Sequence, residues 1–144
     1  MGKEMTSMQR TKGQRGEREL FGLLSEYLGA IVKRNLMQSA WGGADTLDIP
    51  GWAIEVKRQE TLNLKSWWAQ TVNQAALHRR KPILFYRQSR NPWRACIDLH
   101  DLDASKFPVA GREYAIVSFD AACQFLREGL EVQSTQKEEV CLKA

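Results

Sequence analysis

The sequence predicts an α/β domain in which a central mixed β-sheet is flanked by α-helices. Three observations carry that expectation. A helical apolar stripe fills residues 13–28, with Glu17, Leu20, Phe21, Leu24, Tyr27 and Leu28 at i, i+3 and i+4 spacings. An alternating stretch, Trp52-Ala53-Ile54-Glu55-Val56-Lys57-Arg58, follows Pro50-Gly51 and reads as a strand. A second helical pattern over 62–78 then leads into the apolar run Pro82-Ile83-Leu84-Phe85-Tyr86-Arg87, which is the order of a crossover unit.

A chain of 144 residues is long enough for one domain with a real core. No apolar run is long enough to span a membrane, and the first residues have no apolar segment of signal-peptide type. Cys96, Cys123 and Cys141 are odd in number, widely spaced and without a C-x-x-C, so neither zinc nor a disulfide framework is expected. A reducing, cytoplasmic setting fits best. With only His78 and His100 present, histidine-rich metal sites and Ser-His-Asp catalysis are disfavoured. Residues 1–94 hold 16 Lys/Arg against 8 Asp/Glu, and residues 95–144 hold 5 against 9. The basic part suits a polyanion such as nucleic acid, although a solvated surface gives the same totals.

Taken in order, residues 1–12 are polar, basic and aperiodic, as in a flexible arm. Gly29 is placed to end the first helix. Residues 30–36 predict a first strand, and 38–44 a loop in which Gly42-Gly43 permit positive φ. Residues 46–49 predict a short strand that pairs with Trp52–Arg58 through a tight Pro50-Gly51 turn. In the helix over 62–78, Leu64, Trp68, Thr71, Val72 and Ala75 form the packing stripe, and Arg79-Arg80-Lys81 suit the dipole at its end. Further strands are expected at 82–87, 93–99 and 113–117. Ser118 is placed to cap a last helix that Gly129 closes. The domain is therefore expected to span 13–130, followed by a polar tail at 131–144.

The candidate chemistry centres on carboxylates. Glu55 and Lys57 share one face of their strand, which by itself is the ordinary dress of a half-buried strand. Glu17 lies on the apolar stripe of its helix, where a carboxylate is costly unless it is paired, binds a cation or sits at the stripe's edge. Asp45 opens the hairpin after two glycines, where a turn aspartate would also be at home. Asp48 competes with it. A two-residue hairpin pairs Ile49 with Trp52 and Asp48 with Ala53, which puts Asp48 on the Glu55 face. Two or three carboxylates around one point, with few histidines, make a hard oxygen site suited to Mg²⁺ or Mn²⁺. Such an ion beside a lysine suits phosphodiester hydrolysis.

Asp45, nine residues, then Glu55-Val56-Lys57 resembles the D-x(n)-E-x-K signature of the PD-(D/E)XK nuclease superfamily, with Ala44 where a proline often stands. Lys12-Gly13-Gln14-Arg15-Gly16-Glu17-Arg18-Glu19-Leu20 is similar to the N-terminal helix motif of archaeal-type Holliday-junction resolvases. Ile54-Glu55-Val56-Lys57-Arg58-Gln59-Glu60, Trp67-Trp68-Ala69-Gln70 and Phe85-Tyr86-Arg87 resemble phage and prophage resolvase-like proteins. The resemblance spans about residues 10–99. It implies a restriction-endonuclease-like fold and a Mg²⁺-dependent endodeoxyribonuclease of DNA recombination, a homodimer acting on branched DNA with no small-molecule cofactor. By the same resemblance, Asp45, Glu55 and the Val56 carbonyl would bind the metal, with Glu17 directly or through water, and Lys57 would be the catalytic lysine. Lys12, Arg15, Arg58 and Lys65 would track phosphates. Gln70 is either a site residue or a solvent-facing glutamine. Trp67 and Trp68 either stack on bases or fill the core. Arg87, Arg90 and Arg94 form a second patch or only a solvated hairpin. The alternatives are a related single-strand, flap or end-processing nuclease, and a non-catalytic DNA-binding module of the same fold.

Overall fold

A computed structural model describes residues 7–35 and 43–142 of the chain. Its elements are helix α1 (Ser7–Leu28), strand β1 (Trp52–Arg58), helix α2 (Leu64–Leu77) and strands β2 (Lys81–Arg87) and β3 (Arg94–Asp98). They are followed by a short helix α3 (Leu99–Leu102), strand β4 (Tyr114–Ser118) and helix α4 (Phe119–Leu142). The four strands form one sheet in the order β1-β2-β3-β4. The β1–β2 pair is parallel, joined by α2 as the sequence order implied, and the other two pairs are antiparallel. The expected mixed sheet with helices on both faces is therefore formed.

The period of two decides what each face touches. Ile54, Val56, Ile83, Phe85, Ala95 and Ile97 meet Leu20, Phe21 and Leu24 of α1 and Ala122, Cys123 and Leu126 of α4 in one buried cluster. The opposite face carries Leu84, Tyr86 and Cys96 under Trp67 and Trp68 of α2, and Ala53 under Ala75. Both tryptophans of α2 are thus core residues, and the Trp68 indole N–H donates to the Gly111 carbonyl at 3.0 Å. Base stacking by either is excluded by this burial.

Local expectations fail at four places. Residues 30–35 form no strand. The Val32 N–H donates to Ser25 Oγ (2.9 Å), the Lys33 N–H to Asp48 Oδ2 (2.6 Å) and the Asn35 N–H to the Asp45 carbonyl (2.7 Å). Side chains thus take two of the donors that a ladder needs. Residues 36–42, including the expected Gly42, lie outside the described set. Gly129 does not end α4. A Cβ there would stand 2.5 Å from the Pro50 carbonyl oxygen, so the glycine lets helix and turn approach while the helix runs on to Leu142. The first helix likewise begins at Ser7, inside the stretch expected to be an aperiodic arm.

The fourth departure shapes the site. The Pro50-Gly51 turn forms as expected, with the Trp52 N–H donating to the Ile49 carbonyl (3.2 Å) and Gly51 at φ 82°. The ladder does not continue directly from it. A turn of type II twists against the strands it joins, and pairing resumes only at Thr46 with Ile54. Leu47 and Asp48 together oppose Ala53, a one-residue bulge that reverses every side chain before it. Arg80 holds this turn in place. Its guanidinium donates to the carbonyls of Leu47, Ile49 (3.3 Å) and Trp52 (3.1 Å), instead of facing the end of α2.

Candidate active site

The bulge places Asp45, not Asp48, across from Glu55. Thr46 opposes Ile54 and shares its face, so Asp45 falls on the Glu55 face. Asp45 is 2% exposed, and its Oδ2 accepts the Val56 N–H at 2.7 Å. Asp48 is exposed and accepts the Lys33 N–H, as a loop aspartate does. Asp48 would share the Glu55 face only in a continuous two-residue hairpin, and the bulge breaks that register. Asp45→Asn is expected to lower cleavage by on the order of 10²-fold or more, and Asp48→Asn to change it less than about threefold, read from single-turnover rates.

β1 is an edge strand. Ile54 turns its N–H and C=O outward to Asp45 and Thr46. By the same alternation the Val56 C=O faces the free edge beside Asp45. Lys57 Nζ lies 3.7 Å from Glu55 Oε1. Glu17 arrives from α1 on the other face. Gly16 makes this possible, because a Cβ there would stand 2.8 Å from Arg58 Cβ. Arg34 Nε lies 3.5 Å from Glu17 Oε2.

The electrostatics are those of crowded carboxylates. Burial, then the Asp45 charge, push Glu55 up to about 9, with Lys57 opposing and Glu17 adding to the rise. Burial and Asp45 push Glu17 up to about 7 against the pull of Arg34 and Lys57. Glu55 Oε2 is buried with no hydrogen-bond partner. A carboxylate oxygen in that state, beside a second carboxylate, lacks a cation more than a donor. Among the described residues, no three His, Cys, Asp or Glu side chains converge on one point. An ion would therefore rest on Asp45, Glu55 and the Val56 carbonyl, with Glu17 further out. That set fits a hard cation that keeps several of its waters.

The remaining sequence candidates divide. Arg15, Lys65 and Gln70 are exposed. Lys12 lies in α1, and its side chain is outside the described set. Arg58 is half-buried and engaged within the fold, its Nη1 on Glu19 Oε2 at 3.4 Å. Glu19, which the stripe placed off the core, also accepts from the Arg87 guanidinium and from the Trp93 indole N–H (2.9 Å). Gln74 and His78 were missed as well. Gln74 Oε1 and His78 Nε2 are buried without partners, and the His78 ring lies against Gly43, where a Cβ would stand 2.4 Å from Nε2. Their i, i+4 spacing along α2 is the one signal the sequence offers for them. Cys96 and Cys123 are buried free thiols, each pushed up to about 12 by burial. A cavity of about 220 Å³ between Trp52, Lys81, Asp98, Phe125 and Glu128 lies beyond the opposite end of β1 from Lys57. The carboxylate site lies instead at the outer edge of β1, with Asp45 and Glu55 themselves buried.

Residues 8–132 match the protein family described as "Phage putative PDDEXK endonuclease". The chain belongs to this family. It is a PDDEXK-type nuclease, of a class that generally uses divalent metals and acts on DNA. Among solved structures it is similar to Hjc, a Holliday junction resolvase from the archaeal hyperthermophile Archaeoglobus fulgidus. The identity is 26%, over 58% of this chain and 70% of that one, with a TM-score of 0.44. None of the curated proteins matches. No helix among the described residues of this PDDEXK nuclease is long and apolar enough to cross a membrane.

Proposed function

We propose that this PDDEXK nuclease is a Mg²⁺-dependent endodeoxyribonuclease (Mn²⁺ serving equally) that hydrolyses phosphodiester bonds in branched DNA as a Holliday-junction resolvase. The observation that carries the reading is Asp45 and Glu55 facing each other across the bulged edge of β1, with the Lys57 ammonium 3.7 Å from Glu55.

When bound, a divalent cation supplies charge neutralisation at the phosphate and acidifies water. Asp45 and Glu55 would hold it together with the Val56 carbonyl. The Val56 N–H fixes the Asp45 carboxylate, so one residue orients two of the three oxygen donors. Lys57 would meet the phosphate and orient the attacking water. Glu17 stands where it can take a proton or hold water at the edge.

Support for a branched substrate comes from the likeness of Lys12–Leu20 to the N-terminal helix motif of archaeal-type Holliday-junction resolvases, and each part of the motif has a place in this fold. Gly16 gives close approach to β1, Glu17 joins the carboxylates and Glu19 fixes Arg58. Paired nicks across a four-way junction need two sites, so a homodimer belongs to the proposal. The test is side-by-side cleavage of labelled junction, flap, duplex and single-stranded DNA with Mg²⁺. Symmetric paired nicks in the junction are expected. Preference for flaps or single strands would make the chain a related trimming nuclease. No cleavage with either ion would leave a DNA-binding module.

A further inference from the structure

Six described residues have positive φ. Four are glycines: Gly29, Gly43, Gly51 and Gly111. The other two are Arg79 (φ 53°) and Arg90 (φ 67°). Both stand at positions that glycine normally fills. The Arg79 N–H donates to the Ala76 carbonyl (3.2 Å) and the Arg80 N–H to the Ala75 carbonyl (3.1 Å), the paired bonds of a Schellman ending after the C-cap His78. Arg90 is the third residue of the turn closed by the Asn91 N–H on the Gln88 carbonyl (3.0 Å), the glycine position of a type II turn. A side chain with a Cβ is strained at either place, and glycine is not.

Among the described residues nothing repays that strain. Both side chains are exposed, and neither makes a hydrogen bond or ion pair with the described residues. This separates them from Arg58 and Arg87, held by Glu19, and from Arg80, spent on three carbonyls. Their placement is specific. Arg79 comes just before β2 and Arg90 just after it, and β2 runs parallel to β1. The two arginines therefore bracket β2, the parallel neighbour of the strand that carries Glu55 and Lys57. The seven extended residues between them span about 20 Å, the length of several nucleotide steps.

We propose that Arg79 and Arg90 are phosphate anchors that grip the DNA backbone at the two ends of β2, the strand beside the one that carries Glu55 and Lys57, retained at glycine positions at the expense of stability. The proposal rests on the nuclease reading and deepens it, naming the groups that seat the substrate.

The experiment pairs thermal unfolding with DNA binding by Arg79→Gly, Arg90→Gly and the matching Arg→Lys variants. Binding of a labelled four-way junction and a duplex is followed across salt concentration in EDTA, so that cleavage does not intervene. Each glycine variant is expected to melt a few degrees higher. It should bind roughly fivefold more weakly at about 0.15 M salt, with a salt slope shallower by about 0.9. The lysine variants should keep the slope. Unchanged affinity and slope in the glycine variants, with the wild type binding normally, would overturn the anchors alone. Absence of DNA binding by the wild type would overturn the nuclease reading together with them. A lower melting temperature in both glycine variants would contradict the strain.

Discussion

Replacement of Glu55 by glutamine is expected to reduce cleavage by on the order of 10³-fold or more while leaving DNA binding intact. Glu55 is the most buried carboxylate donor of the candidate set apart from Asp45, and its Oε2 has no hydrogen-bond partner to lose. Glutamine keeps the shape and removes the charge that would hold a cation. The same change should act on stability in a pH-dependent way. Glu55 is pushed from 4.5 to about 9, first by burial and then by Asp45. The folded chain therefore holds a proton that the unfolded chain has lost. The associated stability is fully present below about pH 4.5 and is lost as pH rises towards about 9. Glu17, raised to about 7, adds the same trend over the lower part of that range. Denaturant unfolding in EDTA should show metal-free wild type weakening with pH and Glu55→Gln weakening less. Binding of an ion must expel these protons, so the affinity for Mg²⁺ should rise with pH through 7 to 9. Equal pH slopes in wild type and variant would mean that Glu55 is ionised in the fold.

The second large effect is structural. Glu19→Ala is expected to destabilise the domain by about 2–4 kcal/mol, on the order of 10 °C in melting temperature. Its carboxylate joins α1 to Arg58 of β1, to Arg87 of β2 and to the Trp93 indole ahead of β3. Truncation leaves two guanidinium groups half-buried without their anion, one of them already with an unpartnered Nε. Because Glu19 does not face the Asp45–Glu55 edge, cleavage at permissive temperature should stay within a few-fold of wild type. A loss of cleavage without a loss of stability would move Glu19 into the site.

What was legible followed from periodicity. The alternation of Trp52–Arg58 was visible because one face is apolar, and the faces fell as read, with Ile54 and Val56 inward to α1 and α4. Most of the α2 stripe and the apolar run of β2 were legible for the same reason, but Trp67, outside the expected stripe, is buried as well. The hidden parts depend on partners far along the chain. Glu19 reads as a surface residue because its three contacts lie 39, 68 and 74 residues away. The choice between Asp45 and Asp48 turned on register. The turn residues gave the right turn, but a type II turn does not enforce continuous pairing, and one bulged residue exchanged the two aspartates. Family resemblance named Asp45 where parity could not. Gly129 shows a similar ambiguity, since a glycine that permits close packing inside a helix has the same letter as one that ends it.

The most direct measurement of the central idea is cleavage of a labelled four-way junction by wild type and Glu55→Gln, in EDTA and then with Mg²⁺ restored. The geometry at the edge of β1 requires no cleavage in EDTA, paired nicks by the wild type when Mg²⁺ returns, and none by Glu55→Gln although it still binds the junction. Cleavage by the wild type in EDTA, or equal cleavage by the variant with Mg²⁺, would contradict it.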